Sequence, residues 1–239
     1  MRVFVRVVLL LISSVAYSQH DRTIHLDGTR NTRQLGGIVT QDGRAIKQNI
    51  LIRSDNLCGL SPQDCYRLAG LGLKTVIDIR SESEVEACPD VDSVRTFVKH
   101  VHIRLSTFGN EPTMAQAYLY LFRNSGASIR EFFDVLADPD RLPLLFHCQW
   151  GKDRAGIMSA LILRLLDVPD NIIVEDYLLS REAGYWAQEE SIRAILEEVD
   201  SFGGIEAYLL SIGVAPQTME AVRRNLLEDP SFVPFWAYK

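Results

Sequence analysis

Leu142-Pro143-Leu144-Leu145-Phe146-His147-Cys148-Gln149-Trp150-Gly151-Lys152-Asp153-Arg154-Ala155-Gly156 is the stretch from which the rest of the chain is read. Its first five residues are continuously apolar, as a strand buried on both faces requires. The run 155–166 that follows the polar residues is apolar almost all round, which predicts a helix buried against a sheet rather than an amphipathic surface helix. A short loop that enters a helix points successive backbone N–H groups into one concavity, and the helix N-terminus adds positive potential there. A phosphate dianion fits such a cradle. Cys148 at its base would face those amides and the Arg154 guanidinium, an environment that brings a thiol from about 8.5 into the range of about 3.5 to 7.5. A planar guanidinium grips two phosphate oxygens at once and can keep them as the phosphorus becomes trigonal bipyramidal. Gly151 would let the backbone turn around the anion, and His147 could hydrogen-bond into the loop. Of the four cysteines only Cys148 has an arginine six residues on. The competing reading is an inert buried cysteine at a strand end.

Outward from this segment, apolar or β-branched runs alternate with helical ones, the pattern of an α/β fold with a central sheet flanked by helices. Strands are expected near 50–53, 74–79, 97–105 and 142–146, the last two continuous enough to be buried. Helices are expected near 62–69, 113–122 and 128–136, the first introduced by Ser61 and Pro62 as N-cap and first-turn proline. The C-terminal third reads as wholly helical, with segments near 172–179, 189–199, 205–211 and 216–227 stopped by Gly203, Gly204 and Gly213.

The chain has 239 residues, 47% of them hydrophobic, and a formal net charge of −6 with Lys and Arg scattered. That length suits one catalytic domain. The charge distribution lacks the basic stripe of nucleic-acid binders, so polynucleotide partners are not expected. Arg2 and Arg6 flank an apolar stretch that ends in Ser13, Ser14, Val15, Ala16, Tyr17 and Ser18, the order of a secretory signal peptide cleaved before Gln19. The apolar run is too short for a membrane span. The expected division is therefore a signal peptide, 1–18, and a single exported catalytic domain, 19–239, with no transmembrane segment in the mature protein. Cys58, Cys65, Cys88 and Cys148 are too unevenly placed for a disulfide framework. No Cys-x2-Cys pair or His-x3-His face points to a metal, and no cofactor is expected. An exported thiolate is vulnerable to peroxide, and a disulfide from Cys58, Cys65 or Cys88 to Cys148 would protect it.

The segment from His147 to Gly156 resembles the signature of the protein tyrosine phosphatase superfamily. Its Gly151-Lys152-Asp153-Arg154 wording resembles the atypical, often secreted, bacterial tyrosine and lipid phosphatases whose loop reads HCxxGKDR. Asn31-Thr32-Arg33-Gln34-Leu35-Gly36-Gly37, Arg53-Ser54-Asp55-Asn56-Leu57 and Val76-Ile77-Asp78-Ile79-Arg80 are similar to three further stretches of that family. The resemblance implies a two-step, metal-independent reaction through a phosphocysteine, on phosphorylated protein or phosphoinositide substrates. Two positions depart from it: Gln34 stands where the family usually has Asp, and Ala155 where it has Thr or Ser. The missing hydroxyl at 155 implies slower hydrolysis of the phosphocysteine, and keeps open a pseudophosphatase that binds phosphorylated ligands with little turnover.

A general acid must protonate the leaving oxygen. Asp78, at the end of a buried strand, is the first choice because an α/β sheet presents its crevice there; its alternative is a structural ion pair with Arg80 or Arg53. Asp153, within the loop, is the second. Lys152 would add a flexible charge at the rim, suited to multiply phosphorylated substrates, or simply be solvated. Gln149 and Trp150 complete the substrate-binding loop, Trp150 lining the opening or packing on a C-terminal helix. Asn31 and Arg33 would brace the loop or form a surface turn. A rhodanese-like sulfurtransferase would also use a cysteine loop, but has no need of Lys152-Asp153-Arg154.

Overall fold

Alternation within the short strands sorts the core onto two faces of one sheet. Leu51 of β2 (Leu51–Ser54), Ile77 of β3 (Thr75–Asp78), and Leu144 and Phe146 of β5 (Leu144–His147) point into one apolar cluster; Ile52, Val76 and Leu145 point into the other. The residues between them face oppositely because side chains along a strand have period 2. The structure, a computed structural model, describes residues 22–229, so the leader read from the first 18 residues lies outside the described part. Among the described residues no helix is long and apolar enough to cross a membrane.

The sheet order is β1-β2-β5-β3-β4, where β1 is Arg33–Gln34 and β4 is Lys99–His102. β2, β5, β3 and β4 run parallel and β1 pairs antiparallel to β2. The fold is thus α/β with a central mixed sheet. The strand expected over 97–105 is much shorter and is not buried: Lys99 and His102 are exposed and His100 and Val101 half-buried. It is an edge strand, and its charged and polar side chains guard that edge.

Helices α1 (Pro62–Gly70) and α3 (Asp92–Arg95) cover one face through Cys65, Leu68 and Val94. The other face carries α4 (Met114–Arg123), α5 (Gly126–Ala137), α6 (Asp153–Leu165), α7 (Asp170–Leu178), α8 (Glu189–Ser201), α9 (Ile205–Ser211) and α10 (Pro216–Leu226). In α6 every residue but Arg164 is buried, so the helix is gripped on all sides. Truncating a core residue such as Leu161 would cost about 2–5 kcal/mol. That rigidity matters because the first turn of α6 begins inside the polar loop, at Asp153 rather than at the expected 155.

One element lies outside this packing. Helix α2 (Glu82–Ala87), not foreseen from the sequence, has no buried residue. It forms because Ser81 caps it, accepting from Glu84 N while the Glu84 side chain accepts from Ser81 N, a reciprocal capping box.

Candidate active site

The parallel register brings Ser54, His147 and Asp78 side by side at the C-terminal ends of β2, β5 and β3, where open α/β sheets form their crevice. Cys148 follows immediately and is buried with a free thiol. The chain then turns through Gly151, at φ +63°, a conformation that glycine adopts without strain. A Cβ there would lie 2.6 Å from Asp55 N and 2.7 Å from the Ser54 carbonyl carbon. No other residue fits.

The carbonyls of the loop are tied from behind, one after another. Asn56 Nδ2 donates to Gln149 O at 3.1 Å, Asn31 Nδ2 to Trp150 O at 2.9 Å, and Arg53 Nη2 to Gly151 O at 2.6 Å. In a trans peptide the N–H points opposite to the C=O, so anchoring these oxygens outward aims the N–H groups of Trp150, Gly151 and Lys152 to the other side. A nest of that kind binds anions. The braces are themselves fixed. Asp55 accepts from Arg30 N and Asn31 N at 3.0 and 3.2 Å, and Asn31 Oδ1 accepts from Arg33 Nη1 at 2.5 Å.

Behind them a single buried carboxylate, Asp176 of α7, gathers three arginines: Arg22 and Arg53 at 2.8 Å and Arg33 at 3.3 Å. Burial alone would raise the Asp176 carboxyl, but the three cations bring it well below the ordinary carboxylate range. Arg33, buried beside the like charge of Arg53, is brought down to about 9. The cluster joins the N-terminal segment, β2 and α7 to the back of the loop.

Arg154, in the first turn of α6, is held by both oxygens of Glu84 at 2.6 Å each. The fork–fork pair fixes the plane of the guanidinium. Burial would raise the Glu84 carboxyl, yet hydrogen bonds from Arg154 and from the Ser81 backbone outweigh it and set it at about 2. Arg154 in turn is pushed down by burial and, more strongly, up by Glu84 and by the charge of Cys148. The thiol and the guanidinium therefore share one electrostatic site.

The remaining expected residues fall differently. Asp78 is fully buried and both its oxygens are taken by Arg80, Nε at 2.9 Å to Oδ1 and Nη2 at 2.7 Å to Oδ2. Burial raises it, but Arg80 and His147 lower it further, and with both oxygens held by Arg80 and no exposed surface it has none to present to a leaving group. This corrects the expectation of Asp78 as general acid; it is the ion pair with Arg80. Asp153, by contrast, sits beside Arg154, its Oδ1 accepting from Tyr118 OH at 2.6 Å and lying 3.2 Å from Lys152 Nζ. His147 does not bond into the loop as expected: its Nε2 meets Asp90 Oδ2 at 3.0 Å, because Asp90 is buried directly behind it. Lys152 is not a free rim charge either, since Nζ also donates to Trp186 O at 3.0 Å. Trp150 is half exposed at the opening and meets the Tyr185 ring edge-on at 5.5 Å. Gln149 contributes its braced carbonyl, and Ala155 is fully buried.

The cysteines also correct the sequence reading. Cys58 and Cys88 form a disulfide while Cys65 and Cys148 are free, so no protective bond reaches Cys148. Asp78, Asp90 and His100 bring ligand atoms within 4.8 Å of one another, but Arg80 donates to both carboxylates and already supplies the cation there. Glu84, Asp90, Asp176 and Tyr118 were not foreseen, and Asn56 was read only as part of the stretch from Arg53 to Leu57 without a role. Of the first four, Glu84 left a trace, the Ser81-x-x-Glu84 capping box.

A family model described as "Tyrosine phosphatase family" matches residues 24–228. The chain belongs to the tyrosine phosphatase family. A tyrosine-protein phosphatase of Nostoc commune is 28% identical over 224 residues, covering 76% of this chain and 76% of that protein. Among solved structures, the core catalytic domain of the PP-IP phosphatase Siw14 of S. cerevisiae aligns at 17% identity and TM-score 0.44, over 72% of this chain and 96% of that one. TpbA of P. aeruginosa in complex with pTyr aligns at 19% identity and TM-score 0.36, over 72% and 91%. As a member of the tyrosine phosphatase family the protein uses the cysteine-based, metal-independent phosphatase mechanism of that superfamily.

Proposed function

We propose that the protein is a phosphomonoester hydrolase acting through a phosphocysteine at Cys148, on phosphotyrosine or phosphoinositide substrates. The observation that carries this reading is the free Cys148 thiol at the base of a loop whose three carbonyls are all tied outward. In the first step the Cys148 thiolate attacks phosphorus, the P–O bond to the leaving group breaks, and Asp153 gives its proton to the departing oxygen. In the second, water loses a proton to Asp153 and attacks phosphorus, and the S–P bond breaks to return the thiolate. Arg154 and the loop N–H groups bind the equatorial oxygens in both steps. Lys152, Trp150 and Gln149 bound the opening, and Asn31 and Arg33 support the loop from behind.

The Gly151-Lys152-Asp153-Arg154 wording supports placing the protein with the secreted bacterial tyrosine and lipid phosphatases, as one catalytic domain over 19–239. Two features support export. The first 18 residues have the order of a signal peptide, and Cys58 and Cys88 form a disulfide, which persists in oxidising compartments. A second reading, a binding protein with little turnover, is favoured by one observation: Ala155, buried in the first turn of α6, offers no hydroxyl to the departing thiolate. Purified protein and Cys148→Ser, assayed on p-nitrophenyl phosphate, phosphotyrosyl peptides and a phosphoinositide series, decide between them. Turnover that vanishes in Cys148→Ser supports the enzyme. Phospholigand binding without turnover in the wild type rejects it.

A further inference from the structure

Glu84 holds Arg154 in plane, yet it stands on the one α-helix among the described residues that has no buried residue. Helix α2 has six residues, none of them buried, so apolar packing cannot set where its glutamate points. Its N-terminal end is capped by Ser81, and Arg80 Nη1 donates to Cys88 O at 2.8 Å. Cys88 directly follows the helix and is bonded to Cys58, their Cα atoms 5.6 Å apart. Cys58 belongs to the segment after β2 that braces the loop: Asn56 donates to Gln149 O from its backbone at 3.4 Å and its side chain at 3.1 Å. The two sulfurs lie 2.8 and 3.9 Å from Asn56 Oδ1. A covalent bridge thus joins the segment gripping the loop beside Cys148 to the helix gripping Arg154.

We propose that the Cys58–Cys88 disulfide is a positioning brace that holds Glu84 against Arg154, so that full activity requires this pair oxidised while Cys148 stays reduced. A dithiol reductant converts the pair to two thiols by thiolate exchange and is itself oxidised to its cyclic disulfide. Helix α2 is then tethered by its cap, by hydrogen bonds and by the exposed ion pair of Glu82 with Arg104, none of which fixes its C-terminal end as a covalent bond does, and Arg154 loses its fixed plane. Reductants ordinarily protect a nucleophilic cysteine; here they would also loosen the group that binds its substrate. The inference rests on the reading of Arg154 as the phosphate-binding residue.

The test uses the full chain in oxidised, dithiothreitol-reduced and glutathione-disulfide-reoxidised forms, with Cys58→Ser/Cys88→Ser, Glu84→Ala, the triple variant and Arg154→Ala. The readouts are kcat/KM on p-nitrophenyl phosphate, the inhibition constant for orthovanadate, and Tm. Breaking the disulfide is expected to lower kcat/KM about tenfold, within the roughly hundredfold that a 1 Å misplacement can cost, and to weaken vanadate binding in parallel. Both effects should reverse on reoxidation and be nearly absent in the Glu84→Ala background, since the brace acts through Glu84. A merely structural bond would lower Tm in both backgrounds and leave vanadate binding unchanged. Unchanged kcat/KM on reduction, or an equal loss with and without Glu84, overturns the proposal. If the double serine variant does not fold, the reduction and reoxidation of the wild type decide. Wild-type activity in Arg154→Ala would instead overturn the reading of Arg154, and with it the premise.

Discussion

Replacing Glu84 with glutamine removes a charge and one of the two acceptors that fix Arg154, and the size of the effect follows from the geometry. Bringing the Glu84 carboxyl from 4.5 to about 2 corresponds to about 3 kcal/mol at about 1.4 kcal/mol per pH unit. The Glu84 side chain is 26% exposed and its Ser81 contacts share the effect, so solvent screening leaves about 1–2 kcal/mol for the pair. If that energy orients Arg154 for the transition state, Glu84→Gln should lower kcat/KM about tenfold. The assay is initial-rate hydrolysis of p-nitrophenyl phosphate with vanadate inhibition alongside, and urea unfolding as the stability control. Because the folded carboxyl lies below its unfolded value, its stabilisation is complete above about pH 4.5 and is lost as pH falls toward 2. The variant should therefore lose less stability than wild type over that interval. Unchanged kcat/KM with reduced stability would show the pair to be a clip for α2 and nothing more.

Gly151→Ala should abolish activity, since a Cβ would lie 2.6 Å from Asp55 N; retention of even one-tenth of the wild-type kcat/KM would show that the loop is not held as described. Asp176→Asn leaves three buried arginines without their shared carboxylate and should cost about 3–5 kcal/mol of stability, measured by urea unfolding; a loss below about 1 kcal/mol would contradict the cluster's role. Ala155→Thr should raise kcat, by about tenfold for each 1.4 kcal/mol gained, and shrink any pre-steady-state nitrophenolate burst. No burst in wild type together with no gain in the variant would show that dephosphorylation is not limiting.

Much of this was legible because it depends on local pattern. The apolar run before Cys148 and the all-round apolar run after Arg154 predict β5 and α6, and Ser61-Pro62 marks α1 within a residue. The strand near 97–105 was overextended: Lys99, His100, His102 and Arg104 interrupt its apolar residues, which suits an edge strand rather than a buried one. The site was legible at Cys148, Gly151 and Arg154, whose spacing is itself the signal. Asn31 and Arg33 were also readable as braces, but the acidic supports were not, since Asp176 lies 123 residues from Arg53 and Glu84 lies 70 from Arg154. The capping box marks Glu84 as a helix cap, but nothing local shows that it or Asp176 meets an arginine. Asp78 misled for the same reason: its place at a strand end was readable, but Arg80 covering both oxygens was not.

Transfer of the phosphoryl group to Cys148 can be seen by acid-quenching the enzyme during turnover of p-nitrophenyl phosphate and mapping the modified peptide by mass spectrometry. One phosphoryl group is expected on Cys148 in wild type and none in Cys148→Ser, which should also be inactive. Continued hydrolysis by Cys148→Ser, or a phosphoryl group trapped on another residue, would contradict transfer to Cys148.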